Sequence, residues 1–159
     1  MTICDEESNR NHRNLKEMKN DTFKLFVYGS LRSGFRSPAY EYLAKNFNLL
    51  GDASVKGRYF EKGNFPVALP ATEELYIIGE LYEIKNPAEF SWVIGQLDDY
   101  EGLNAEEGEE PLYRRALVDT HLQDTLVQAW IYWYNQSVEG MQPIETGDAL
   151  KYLQDKFKP

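Results

Sequence analysis

The apolar positions of this chain fall into blocks of two different periods. Residues 25–28 (Leu-Phe-Val-Tyr) form an unbroken apolar run of good strand formers, which predicts a short strand buried on both faces and stopped by Gly29-Ser30. Ser37-Pro38 reads as a helix cap with proline at the first helical position, and Tyr40, Leu43, Ala44 and Phe47 follow at helical spacing. Residues 55–60 and 65–69 read as two strands of a hairpin around Lys62-Gly63-Asn64. Residues 75–84 predict a longer strand in which Gly79 marks a bulge or a close approach of another backbone. Asn86-Pro87 repeats the cap-plus-proline pattern, with Glu89 placed as in a capping box. Phe90, Val93, Ile94 and Leu97 then share one face of a helix ending at Gly102. Residues 112–119 and 125–134 complete the strands, and Thr146 is expected to open a last helix carrying Leu150, Leu153 and Phe157.

The order of about six strands and two or three helices does not alternate as a doubly wound sheet does, so the pattern predicts an α+β domain. Strands apolar on both faces imply a curled or closed sheet, filled inside and covered by helices outside. The 159 residues suit one domain over 23–159. Residues 1–22 are polar and mixed in charge, with only Leu15 and Met18 to bury, and read as a loose tail; a docking arm is the alternative. They contain no apolar signal-peptide core, and no stretch of the chain is long enough to cross a membrane, so a cytosolic protein is expected.

Charge narrows the partners. A net charge of −9 and a pI near 4.8 oppose nucleic acid and anionic membranes, leaving small molecules. The single cysteine, Cys4, excludes an internal disulfide, and His12 and His121 offer no metal-ligand spacing, so no metal is expected. His121 is read as a loop residue. The acidic stretch Glu106, Glu107, Glu109 and Glu110 reads as a solvated loop.

Two segments carry candidate chemistry. After the first strand, Gly29 permits close approach of a ligand. The N–H groups of Gly29, Ser30 and Leu31 can converge on a carboxylate or oxyanion, with the Ser30 hydroxyl and the Arg32 cation beside them. At the end of the second helix, Asp98 and Glu101 are three apart and point to one side, beyond the apolar face. A carboxylate there meets unpaired carbonyls, the negative helix end and partial burial, all of which raise its pKa toward that of a general base. Other chemistries lack their signatures: the turn has no Gly-Lys-Ser/Thr ending, no Gly-x-Gly-x-x-Gly occurs, and no Gly-x-Ser-x-Gly elbow accompanies a histidine.

In order and spacing these segments resemble the γ-glutamylcyclotransferase-like superfamily, in particular its γ-glutamylamine cyclotransferase or AIG2-like type. The resemblance rests on Phe26-Val27-Tyr28-Gly29-Ser30-Leu31, Gly63-Asn64-Phe65-Pro66-Val67, Gly79-Glu80-Leu81-Tyr82, Leu97-Asp98-Asp99-Tyr100-Glu101-Gly102, Tyr113-Arg114-Arg115 and Ile131-Tyr132. It implies a small mixed β-barrel with flanking helices, and a cavity shared by the Tyr-Gly-Ser-Leu turn and Glu101. It also implies a cofactor-free reaction, in which the α-amine of a small γ-glutamyl amine or peptide attacks its own γ-carbonyl to give 5-oxoproline and a free amine. In that reading Glu101 is the general acid/base, Gly29, Ser30 and Leu31 hold the substrate, and Tyr28, Arg32, Tyr113 and Tyr134 are further contacts. The acidic stretch 103–111 and the tail before Phe23 are additions to the minimal pattern. A non-catalytic metabolite-binding module, and a related γ-glutamyl transferase or amide hydrolase, are the alternatives. The leaving amine and the oligomeric state are left open.

Overall fold

A computed structural model describes residues 23–29, 32 and 37–157 of the chain. The elements run β1 (Lys24–Val27), α1 (Pro38–Asn46), β2 (Phe47–Lys62), β3 (Phe65–Pro70), β4 (Tyr76–Ile84), a 3₁₀ turn (Pro87–Glu89) and α2 (Phe90–Glu101). β5 (Tyr113–Leu122), β6 (Thr125–Tyr134), β7 (Gln142–Ile144) and α3 (Ala149–Lys156) complete the chain. Five strands close a mixed barrel in the order β2-β4-β1-β6-β5, with β5 returning to β2 at Ser54 and His121. The β1–β6 pair is parallel, with Leu25 opposite Trp130, and the other ring pairs are antiparallel. Strands β3 and β7 lie outside the ring, each paired to the far half of β2.

The double apolar character of β1 has its cause in this layering. Leu25 and Val27 turn outward into a cluster with Leu43, Phe47, Phe90, Val93, Ile94 and Leu97 under α1 and α2. Phe26 and Tyr28 turn inward to join Val55, Tyr59, Ile77, Leu81, Ile131 and Trp133 in the barrel. Gly79 serves close approach: a Cβ there would overlap the Val27 carbonyl oxygen and lie 2.7 Å from the Phe26 ring. Thus β4 presses on β1 only because position 79 has no side chain.

Several boundaries differ from expectation. Phe47, expected on the helix face, is instead the first residue of β2, and its N–H closes α1 on the Leu43 carbonyl. The first half of β2 is interrupted by polar residues (Asn48, Asp52, Ser54) and carries a register shift between Leu49 and Gly51, so it lacks the apolar run that marks 55–60. The short β7 was not predicted; its Gln-Pro-Ile sequence has too few residues to show a period. Asn86 caps the 3₁₀ turn through the Ala88 N–H, and the α-helix begins only at Phe90. Asp148, not Thr146, caps α3, its carboxylate accepting from the Leu150 and Lys151 N–H groups. His121 belongs to strand β5, opposite Leu126 and edge-on to Tyr76, not to a loop. The tail 1–22 lies outside the described residues. Among the described residues no helix is long and apolar enough to cross a membrane.

Candidate functional site

Three segments far apart in sequence meet at one end of the barrel. Tyr28 and Gly29 follow the end of β1 there, α2 ends there at Tyr100 and Glu101, and β5 begins there at Tyr113. Together with Phe26, Val27, Phe65, Pro66, Tyr132, Ala149 and Leu153 they line a cavity of about 400 Å³. That volume suits a ligand of metabolite size. The lining is mainly apolar and aromatic, and Glu101 is its single carboxyl group among the described residues.

Helix α2 delivers Glu101 by way of two local devices. Its apolar stripe, Phe90, Val93, Ile94 and Leu97, fixes the helix on the outer face of the barrel. Gly102 ends it in the left-handed conformation (φ 77°), with its N–H returned to the Asp98 and Asp99 carbonyls. Asp98, one turn before Glu101, is occupied elsewhere. Arg115 grips it with two hydrogen bonds, Nε to Oδ1 at 2.8 Å and Nη2 to Oδ2 at 3.1 Å, and the Tyr132 hydroxyl donates to Oδ1 at 2.7 Å. The Arg115 guanidinium also lies 4.4 Å from the Trp130 ring centre. This network bolts the last turn of α2 to the barrel wall and neutralises the nearer carboxylate. Asp98 and Glu101 therefore divide, one into structure and one into the cavity.

Burial pushes the Glu101 carboxyl from its ordinary 4.5 up to about 7. Desolvation is the cause, where the sequence pointed equally to the helix end. Tyrosines surround it. Burial raises the Tyr28 hydroxyl well above its usual range, with the Tyr113, Tyr59 and Glu101 charges adding to the effect. Tyr113 is raised by burial and then by Glu101, and Tyr132 by burial and by its bond to Asp98. All three phenols stay protonated at neutral pH, and Tyr28 donates to the Tyr132 main-chain carbonyl.

Of the residues singled out from sequence, Tyr28, Gly29, Glu101 and Tyr113 line this one cavity. Tyr134 stands behind it, with its ring edge-on to Tyr113 at 5.8 Å and Lys62 over its face. Arg32 pairs with Asp148 at 2.8 Å and so joins the turn after β1 to the cap of α3. Ser30 and Leu31 lie outside the described residues. Sequence reasoning did not assign Phe26, Val27, Phe65, Pro66, Tyr100, Tyr132, Ala149 or Leu153 to the site. Phe65 offered a signal, being a large aromatic directly after a tight turn that is left exposed. Tyr132 stands in one of the segments that carry the resemblance, but only barrel closure brings it to the cavity. No cluster of three or more His, Cys, Asp or Glu suited to a metal ion occurs among the described residues.

Comparison with known proteins gives a consistent picture. The family model described as "Gamma-glutamyl cyclotransferase, AIG2-like" matches residues 25–151. The "Gamma-glutamylcyclotransferase family protein YtfP" of Escherichia coli K12 is 32% identical over 128 residues, covering 80% of this chain and 96% of that protein. In structure the chain resembles YkqA of Bacillus subtilis (TM-score 0.63, 25% identity), covering 86% of this chain and 43% of YkqA. An AIG2-like protein of Mus musculus shares the fold at a TM-score of 0.53 and 18% identity, over 78% of this chain and 86% of that one.

Proposed function

Because the chain belongs to the AIG2-like γ-glutamyl cyclotransferase family, we propose that it cyclises a small γ-glutamyl compound to 5-oxoproline with Glu101 as the acid and base. The observation that carries this reading is a single buried carboxyl, held near 7, in the cavity that Gly29 also lines.

The chemistry asks for no protein nucleophile. The substrate's own α-amine attacks its γ-carbonyl, and holding the two together contributes on the order of 7–11 kcal/mol of barrier reduction. At neutral pH that amine is an ammonium ion, so a base must first take a proton; a carboxylate near 7 does this and can return it. As the N–C bond forms, the carbonyl oxygen becomes an oxyanion, which the Gly29 N–H and the protonated Tyr113 hydroxyl stabilise. Collapse breaks the bond to the leaving nitrogen, and Glu101 hands the proton to it. The two protons lost by the attacking ammonium reappear on the released ammonium, so the step needs neither water nor cofactor.

Release of 5-oxoproline from a panel of γ-glutamyl amides and dipeptides tests the reading, with Glu101→Gln as control. Turnover by the wild type that falls by about 10³-fold or more in the variant is expected from loss of a general acid/base together with its positioning. A panel left wholly intact by the wild type, or an undiminished rate in a folded Glu101→Gln variant, overturns it.

A further inference from the structure

The outer face of α2 and the acidic stretch that follows it take no part in the cavity. With the apolar stripe of α2 turned to the barrel, Trp92, Gly95, Gln96 and Asp99 share the opposite side. Trp92 is 69% exposed. Gly95, three residues on, has no duty inside the fold: its φ is not positive, and a Cβ there would meet nothing within 4 Å. A glycine in mid-helix costs about 0.5–1 kcal/mol relative to alanine. The outer face thus sets an exposed indole beside bare backbone, a ridge next to a notch. Beyond them the chain carries Asp99, Glu101, Glu106, Glu107, Glu109 and Glu110 with no lysine or arginine before residue 112. The four glutamates of the stretch are exposed, and among the described residues none stands in a salt bridge.

The chain itself supplies a segment that matches this surface. Residues 1–22 precede the match to the family model, which begins at 25, and they join the described residues at Phe23. Phe23 sets its ring edge-on to Phe90, the first residue of α2, at 5.5 Å, and its carbonyl accepts from the Ile84 N–H at 2.9 Å. The N-terminal segment is therefore delivered to the base of α2. Read back from that point, its first apolar residues are Met18 and Leu15, while Lys19, Lys16, Arg13 and Arg10 recur at every third position. Between 8 and 20 only Glu17 opposes these four cations. Helix α2 is about 18 Å long, and the span from Asp21 to Arg10 covers about 17 Å as helix or about 36 Å extended. Either form brings Arg13 and Arg10 level with the acidic stretch.

We infer that residues 10–19 dock on the outer face of α2, running antiparallel to it, with Met18 and Leu15 against Trp92 and Gly95 and with Arg13 and Arg10 on the acidic stretch beside the cavity mouth. Tethering supplies an effective concentration on the order of millimolar, so contacts too weak for separate partners suffice within one chain. A second copy of the chain is the poorer occupant, because two such faces would set acidic stretch against acidic stretch.

Cys4 is the only cysteine, so a nitroxide attached to it reports where the segment lies. In low salt, the amides of residues 99–110 should show paramagnetic broadening about threefold or more above that of residues 123–126, in the hairpin at the far end of the barrel. The excess should vanish in 1 M salt, where the screening length falls to about 3 Å. Arg10→Glu with Arg13→Glu should abolish it, adding Glu106→Lys with Glu107→Lys should restore it, and Trp92→Ser should reduce it. All these substitutions are at exposed or terminal positions, and thermal melting checks that each variant stays folded. Broadening spread evenly over the surface, or an excess that neither the charge reversal nor Trp92→Ser moves, overturns the proposal. So does broadening in a mixture of nitroxide-labelled chain with isotope-enriched Cys4→Ser chain, which assigns the face to a second copy.

Discussion

Replacing Glu101 by glutamine should make the protein more stable at the pH where it makes it inactive. In the unfolded chain the carboxyl titrates near its ordinary 4.5, and in the folded protein burial holds it near 7. Between those values the folded state binds more protons than the unfolded one, so stability falls as pH rises. The contribution of the protonated group is fully present below about 4.5 and is lost as pH climbs through about 7. Above that the folded state carries a desolvated charge at a cost of about 3 kcal/mol, from roughly 1.4 kcal/mol per tenfold change in proton affinity. Because part of Glu101 faces the open cavity, water screens some of that cost and about 2–3 kcal/mol remains. Glutamine has the same shape and never charges. Denaturant unfolding of both proteins at a series of pH values should therefore give equal stabilities near pH 4, diverging in favour of Glu101→Gln up to a plateau above about 7.5. In a chain of 159 residues the plateau corresponds to roughly 5–10 °C in Tm. Other titrating groups cancel in the difference, and the ascending limb of kcat/KM against pH should share its midpoint. A stability difference that stays flat from pH 4 to 8 would refute the buried-carboxyl argument, whatever the activity showed.

Asp98→Asn should cost about 2 kcal/mol in denaturant unfolding, since it removes the charge that Arg115 grips in two places and weakens the Tyr132 bond. Gly79→Ala should abolish soluble, cooperatively folding protein, because its Cβ has no room against β1. By contrast Gly95→Ala, in the middle of α2 with nothing within 4 Å of the new methyl, should raise stability by about 0.5–1 kcal/mol by chemical denaturation. Arg32→Gln should loosen α3 from the turn after β1, seen as faster amide exchange in residues 149–156 than in β6.

The parts legible in the sequence were those written in local order. Residues 25–28, the Ser37-Pro38 cap, the stripe from Phe90 to Leu97 and Gly102 each carry their structural instruction within a few positions, and the structure follows them. Glu101 was legible for the same reason, being fixed relative to a helix end. What could not be read was decided by closure. Whether Asp98 or Glu101 reached the cavity depended on Arg115 and Tyr132, two strands away. The polar first half of β2 forms a strand because β4 supplies its partners from Phe47 to Lys56, a cause that no window of the sequence contains. His121 was misplaced for a related reason: its polar neighbours look like a loop, but its strand is held by β6 and closes the ring on Ser54.

The parallel pairing of β1 with β6 sets Leu25 beside Trp130. During synthesis β1 is made first and gains its antiparallel neighbour β4 early, yet its other edge stays open until β6 has been completed. Loop-closure entropy of that span must be met before any reward is collected, so the ring is expected to close late and slowly. Tyr28 sits at the end of that open edge, and its hydroxyl finds the Tyr132 carbonyl only at closure. The cavity therefore cannot form in stages: a nascent or truncated form ending before residue 134 would hold Glu101 at the end of α2 with no closed barrel wall beside it.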